Sequence, residues 1–205
     1  MSWSIDGMLP REPNLAPFDG ELYWLSPFYA KEQADAYFQR LSEQLDWQQE
    51  ELFIYGRRLK VPRLMAWYGD EDAHYRYSGV DHQPQAWTND LLALKADMDA
   101  ICGQIFNSVL ANLYRDGQDS MGCHADNEKE LGLHPIIASL SFGDSRLLRF
   151  RHNKTRQKLD VELAHGDLLL MAGNLQQHWR HELPKTRKPK QPRINLTFRH
   201  IILSH

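Results

Sequence analysis

Cysteine is scarce: Cys102 and Cys123 are the two in 205 residues. So few thiols give no disulfide framework of the kind that staples small secreted domains, and two alone cannot build a cysteine-rich zinc site. Long hydrophobic runs are missing too, and none approaches the length needed to span a bilayer. The N-terminal Met-Ser-Trp-Ser-Ile-Asp-Gly has neither the basic start nor the apolar stretch of a secretory signal. There is no internal repeat and no low-complexity segment. These absences lead us to expect no membrane contact and no secretion, with a cytoplasmic location in a bacterium or a nuclear one in a eukaryote; a monomer is expected as well.

What is present is ordinary globular composition, 42% hydrophobic and 25% charged. The length suits one domain with a sizeable core, or a domain with a small appendage. The net charge of −3 hides an asymmetry. Residues 1–100 hold 9 Lys/Arg against 17 Asp/Glu, and residues 101–205 hold 15 against 10. Basic residues cluster at 146–158 and 185–193. They read either as solvated loops or as contacts to a polyanion, most simply nucleic acid.

Residues 1–22, with three prolines and little periodicity, read as a loosely ordered lead-in. Ala34, Tyr37, Phe38, Leu41 and Leu45 recur at helical spacing, which predicts an amphipathic helix over 31–45. Short strands are expected at 52–55 and 63–67 around a Gly-Arg-Arg turn. A second helix should start after Thr88, a good N-cap, and run to about 106 with Leu91, Leu94, Met98, Ile101 and Ile105 on its apolar face. Short strands then follow at 109–114, 135–142, 147–151, 158–163, 167–172 and 193–202, separated by turn residues. That texture predicts a sandwich, jelly roll or barrel.

The chemistry starts at Gly122-Cys123-His124-Ala125-Asp126. On an extended strand, residues two apart point the same way, so His124 and Asp126 can converge on one ion. A further histidine, His178 or His181, can complete the two-histidine, one-carboxylate facial triad of non-haem iron oxygenases. Spacing alone leaves both open, together with a zinc protein that uses both. In Pro192-Arg-Ile-Asn-Leu-Thr-Phe-Arg199, residues Arg193, Asn195, Thr197 and Arg199 share one face, with Ile194, Leu196 and Phe198 on the other. Two arginines on one face suit a dicarboxylate, and suit a wet surface equally.

Several motifs carry a resemblance. They are Asn112-Leu-Tyr114, Asp116-Gly117, His124-Ala-Asp126, Ser139-Leu-Ser-Phe-Gly143, Leu148-Arg-Phe-Arg-His152, His165-Gly-Asp-Leu-Leu-Leu-Met171, His178-Trp-Arg-His181-Glu-Leu-Pro184 and the 192–199 segment. Upstream stand Val61-Pro-Arg63, Tyr68-Gly-Asp70 and Tyr77-Ser-Gly79. In this order and spacing, from about residue 50 onward, the sequence resembles the AlkB family of nucleic-acid dealkylating dioxygenases. It looks nearest to the branch with the animal double-strand DNA repair homologs.

The resemblance implies an α+β fold: a double-stranded β-helix (jelly-roll) core over about 105–205, N-terminal supporting helices, and a nucleotide-recognition lid over about 50–85. Together these make one domain over 23–205. The resemblance assigns Fe(II) to His124, Asp126 and His181, with His178 a neighbour. It places 2-oxoglutarate against Asn112, Tyr114, Arg193, Asn195, Thr197 and Arg199, with O2 as the other cosubstrate. On the substrate side it implies that Tyr77 and His124 sandwich an extruded base, with Tyr75 and Trp67 nearby in the lid segment. Glu128 would contact the exocyclic amine, and Tyr55 would fill the vacated stack. Arg57, Arg58, Lys60, Arg63, Arg149, Arg151 and Lys154 can hold phosphates. Asn127 stands where related enzymes often carry a charged residue. The implied reaction is DNA repair by oxidative demethylation of 1-methyladenine and 3-methylcytosine, releasing formaldehyde, succinate and CO2. The same chemistry on RNA or another substrate, and a jelly-roll module that binds nucleic acid without turnover, are the alternatives.

Overall fold

A computed structural model describes residues 13–54, 57–73, 75–77 and 80–202. Strand β1 (Glu21–Leu25) and helix α1 (Lys31–Gln44) come first, followed by the hairpin of β2 (Glu51–Ile54) and β3 (Arg57–Lys60). Next are β4 (Leu64–Gly69), the hairpin of β5 (Tyr75–Tyr77) and β6 (Val80–His82), and helix α2 (Asn89–Cys102). Strands β7 (Ser108–Tyr114) and β8 (Met121–His124) lead to β9 (Ile137–Gly143), β10 (Arg146–His152), β11 (Lys158–Leu163) and β12 (Asp167–Ala172). The short helix α3 (Leu175–His178) runs directly into β13 (Trp179–Leu183), and β14 (Arg193–Arg199) is last.

Two antiparallel sheets form the core. The major sheet has the order β1-β12-β9-β14-β7-β4, and the minor sheet has β11-β10-β13-β8. Every neighbour in the major sheet is non-consecutive, and in the minor sheet only β10 and β11 are consecutive, the signature of a jelly roll. The fold is the expected α+β type with a double-stranded β-helix core. Side-chain alternation sorts the interior. Ala138, Leu140 and Phe142 of β9, Leu168 and Leu170 of β12, and Ile194, Leu196 and Phe198 of β14 pack with Ala34, Tyr37, Leu41, Leu91, Leu94 and Met98 of the helices. The opposite faces contribute Ile137, Leu169 and Met171, which meet Leu148, Phe150, Leu163, Trp179 and Leu183 of the minor sheet. The helices thus cover one face of the major sheet, and the minor sheet covers the other.

Helix α1 follows its periodicity, with Ala34, Tyr37 and Leu41 buried. The Thr88 hydroxyl accepts from the Leu91 N–H at 3.2 Å, the expected N-cap. The C-terminus differs from expectation. Helix α2 stops at Cys102 because Gly103 takes the left-handed conformation (φ 59°), which only glycine adopts at little cost. Ile105 therefore leaves the apolar face and is 69% exposed.

The lead-in is shorter than expected. Residues 21–25 pair with β12 from Glu21↔Ala172 to Leu25↔Leu168, and Leu22 is fully buried. Asn14 ties the preceding loop down by accepting from the Leu22 N–H at 2.9 Å. The last strand ends at Arg199 and not at 202. There the Asn107 side chain takes over the backbone of Ile201, accepting from its N–H at 2.7 Å and donating to its carbonyl at 2.8 Å. Strands β3 and β13 were not anticipated. Trp179–Leu183 is extended because β10 and β8 flank it on both edges.

Candidate active site

Strands β8 and β13 meet with His181 directly opposite His124, and Asp126 follows two residues on, just beyond the end of β8. The three ligand-capable side chains lie within 4.8 Å of one another and can hold one metal ion. His124 Nε2 is 3.5 Å from Asp126 Oδ1. The His124–His181 ring centroids are 4.3 Å apart. His124 Nδ1 contacts the Gly122 carbonyl at 2.8 Å. A carbonyl can only accept, so Nδ1 carries the proton and Nε2 keeps its lone pair toward Asp126. That is the second contact which usually fixes a ligating imidazole.

Electrostatics prepares the same centre. Burial alone would raise the Asp126 carboxyl, but Arg199, 3.1 Å away, and the two histidines hold it well below the usual carboxylate range. Burial and the neighbouring His124 push His181 down to about 3, leaving it a neutral nitrogen donor. Burial also works against a charged His124, yet its contact to Asp126 raises it overall. The Gln176 side chain accepts from the Asp126 N–H at 3.0 Å and so anchors this ligand's backbone to α3. One buried carboxylate and two histidine ring nitrogens within reach of a common point fit a divalent iron.

A cavity opens beside this triad between the sheets. Its walls include Arg63, Asn112, Tyr114, Glu128, Ser139, Arg193, Asn195, Thr197 and Arg199, with Met121, Leu148, Met171 and Leu183 as apolar panels. Every residue of β14 is buried, so its polar face is a cavity wall and not a wet surface. Arg193 is 2% exposed. Its Nη2 donates to Ser141 Oγ at 2.9 Å, its Nε lacks a partner, and no carboxylate offsets it among the described residues. Burial pushes its guanidinium down to about 10. A buried cation with an open donor is an anion site in waiting. The Tyr114 ring lies between Arg193 at 5.4 Å and Arg146 at 5.8 Å. These donors fit a dicarboxylate such as 2-oxoglutarate.

Not every expected contact has the same freedom. Asn195 donates to Ser139 Oγ at 2.8 Å and to the Leu140 carbonyl at 2.9 Å, and accepts from the Thr197 hydroxyl at 3.2 Å. Its two N–H donors are therefore saturated within the wall. Ser139, which the sequence reading quoted only as part of a motif, reaches the cavity because it opposes Thr197 on β9. Period-two alternation would have found it.

His178 is not in the triad. It ends α3 and groups with Asp19 and His152. Because β13 starts at Trp179, His181 is its third residue and points inward with Trp179 and Leu183, both buried.

On the substrate side, Glu128 faces the cavity, with a buried Oε2 that has no hydrogen-bond partner among the described residues. Tyr55 lies outside the described residues. Tyr75 and Tyr77 form β5, with their side chains outside the description. Trp67 sits on β4 of the major sheet and packs against Ala73, Leu131 and Ile201.

Of the basic residues, Arg63 is 5% exposed and turned into the cavity, so it cannot hold a phosphate at the surface. Arg149 is locked to Asp160 by two bonds of 2.8 Å. Arg146 is buried on the carbonyls of Asp116, Asp119 and Pro184. Arg151 faces a separate outer recess with Arg156 and Arg180, and directly opposes Arg180 across the β10–β13 ladder. Among the described residues, no helix is long and apolar enough to cross a membrane.

The chain matches the 2OG-Fe(II) oxygenase superfamily over residues 21–199. It is 40% identical over 185 residues to the DNA oxidative demethylase ALKBH2 of Bos taurus, covering 85% of this chain and 66% of that protein. To the human ALKBH2 it is 38% identical over 187 residues, covering 86% and 72%. To the alpha-ketoglutarate-dependent dioxygenase alkB homolog 3 of Bos taurus it is 38% identical over 182 residues, covering 84% and 63%. The chain thus spans about two thirds of the length of the curated relatives it matches. The solved structure of OsALKBH1 has the same fold, with a TM-score of 0.62 at 18% identity, covering 87% of this chain and 96% of that one. With the triad, the cavity and these similarities together, the chain belongs to the AlkB branch of the 2OG-Fe(II) oxygenase superfamily, enzymes that use Fe(II) and 2-oxoglutarate.

Proposed function

We propose that this protein is an oxidative DNA demethylase that removes N-methyl groups from bases, with 1-methyladenine and 3-methylcytosine as its lesions. The observation that carries the reading is the buried His124–Asp126–His181 triad, opening onto a cavity whose wall holds the unpaired Arg193 guanidinium. The named activity of the ALKBH2 relatives supports DNA as the substrate.

In this reading His124, Asp126 and His181 hold the iron. Arg193 and Tyr114 grip one carboxylate of 2-oxoglutarate, while Asn112, Ser139 and Thr197 line the path toward the metal. Arg199 keeps Asp126 anionic. Leu148, Met171 and Leu183 exclude water. Bound there, Fe(II) and 2-oxoglutarate would let O2 act as the oxidant: one oxygen atom would hydroxylate the N-methyl carbon and the other would convert 2-oxoglutarate to succinate and CO2, after which the N–C bond breaks and formaldehyde leaves. Glu128 faces the cavity as an acceptor for the exocyclic amine of a cationic methylated base. The hairpins in 50–85 act as the nucleotide-recognition lid, with Tyr77 against the base and Tyr55 as the wedge. Arg151 holds a backbone phosphate from outside the cavity.

The test is turnover of duplex and single-stranded oligonucleotides, DNA and RNA, that carry one methylated base. Fe(II), 2-oxoglutarate and O2 are supplied, and the products are weighed. Loss of a methyl group from DNA is expected. Turnover confined to RNA would move the substrate assignment, and no loss from any strand would end it.

A further inference from the structure

The sequence suggests that Arg63 is a phosphate-binding residue, and its burial removes it from that role. It sits at the start of the strand pair β4–β7, where Leu64 opposes Leu113. Its backbone is fixed, with its N–H on the Val61 carbonyl at 2.8 Å. Its side chain reaches the cavity, where Nε donates to Asn112 Oδ1 at 2.7 Å and Nη1 approaches the Ser120 carbonyl at 3.5 Å.

A guanidinium has five N–H donors and no acceptor. The Asn112 atom that meets it must therefore be the carbonyl oxygen. The two ends of an amide lie on opposite sides of one planar group, so fixing Oδ1 fixes Nδ2. Asn112 is 1% exposed and lines the cavity, and no bond from its Nδ2 is present among the described residues. Its cross-strand partner Asn195 spends both N–H donors on Ser139 and Leu140, its Oδ1 accepts from the Thr197 hydroxyl, and it makes no bond to Asn112 among the described residues.

We infer that Arg63 is a positioning residue for the cosubstrate: it locks the Asn112 amide with its N–H donors facing the cavity, so that Asn112 recognises a carboxylate oxygen and cannot repel it. This rests on the 2-oxoglutarate reading of the cavity. Without Arg63 the amide is free to rotate and present its oxygen, which a carboxylate would oppose. The assignment also gives a buried cation a task besides neutralising charge, since a carboxylate only accepts and every wall group near it must donate.

The test is 2-oxoglutarate binding to the full chain loaded with Mn(II), measured by calorimetry without oxygen for the wild type, Arg63→Ala, Asn112→Ala and the double variant. Arg63→Ala should weaken binding roughly tenfold, the order expected for one hydrogen bond to a charged group. The double variant should bind no worse than Asn112→Ala alone, because the two losses are one loss. Arg63→Gln, which still offers an amide donor to Asn112, should recover part of the affinity; if it binds no better than Arg63→Ala, the donor role is overturned. Asn112→Asp, which keeps the Arg63 contact but removes the inward donors, should bind more weakly than Asn112→Ala, and tighter binding would contradict the polarity argument. Additive losses in the double variant would overturn the assignment while leaving the function reading intact. A wild type that fails to bind 2-oxoglutarate at all would overturn both.

Discussion

Two clusters in this protein hold the same residue types, one aspartate and two histidines, and only one of them is built for a metal. In the first, Asp126 is 3% exposed, and the His124 Nδ1 proton is committed to a carbonyl, so Nε2 is free to coordinate. In the second, the Thr155 N–H donates to His152 Nδ1 at 3.1 Å. A neutral His152 therefore carries its proton on Nε2, which faces Asp19 Oδ2 at 3.3 Å. The lone pair a metal needs is already engaged elsewhere. Asp19 is also half exposed, and the His178 ring stacks on His152 with centroids 6.1 Å apart. Composition and proximity are alike in the two clusters. The partner of the far ring nitrogen separates them.

The strongest way to break this contrast is to remove one carboxylate from each. Asp126→Ala should abolish both turnover and stoichiometric binding of a divalent metal, read by elemental analysis and by the Co(II) absorption spectrum. Asp19→Ala should leave one equivalent of metal per chain and full activity. If the metal left with Asp19 instead, the tautomer argument would be wrong. A smaller effect is expected behind the first cluster. Arg193→Ala should weaken 2-oxoglutarate binding by roughly 10- to 100-fold, because a hydrogen bond to a charged group is worth about 1.5–3 kcal/mol. Arg193→Lys should restore little of it, since an ammonium lacks the planar fork that spans Ser141 and a carboxylate.

The second cluster should show up in stability and not in chemistry. Asp19→Ala should cost about 1 kcal/mol in chemical denaturation, the scale of one ordinary hydrogen bond, because Asp19 is half exposed although His152 is buried. A loss several times larger would mean that the cluster holds the N-terminal segment by more than this one contact. The mildest contrast concerns the thiols. Cys123 is exposed in the recess that contains His152, whereas Cys102 is buried and pushed up to about 12, first by desolvation and then by Asp99. Iodoacetamide should label Cys123 alone in the native protein and leave the metal content unchanged, because β8 alternates and His124 points the other way. Loss of metal on labelling would show that the two sides of β8 are coupled.

Much of this was legible in the sequence where a period was long enough to read. The strict alternation of 193–199 separated Ile194, Leu196 and Phe198 from the four polar residues, and the structure keeps that division. What alternation could not supply was the environment of the polar face: a strand does not say whether its second side is water or another sheet. The choice between His178 and His181 was also hidden from spacing. It depends on where α3 ends, and a four-residue helix followed by a five-residue strand leaves too few residues for either period to show. Strand β1 was missed for a related reason. Glu21–Leu25 is extended because β12 offers it an unpaired edge, and that edge is formed by residues far along the chain. The saturation of Asn195 and the burial of Arg63 depend on partners across the sheet, so no local pattern announces them.

The ladder between β7 and β14 has a further consequence. Arg193 faces Tyr114 and Asn195 faces Asn112 in one uninterrupted register. Because strand side chains repeat every two residues, sliding β14 by a single position would send Arg193, Asn195, Thr197 and Arg199 into the greasy layer under the helices and turn Ile194, Leu196 and Phe198 toward the iron. A chain that assembles this way has no grip on its cosubstrate and little stability. Register therefore ties the site to stability: only a correctly aligned copy carries the polar wall, and a misaligned one loses its core as well.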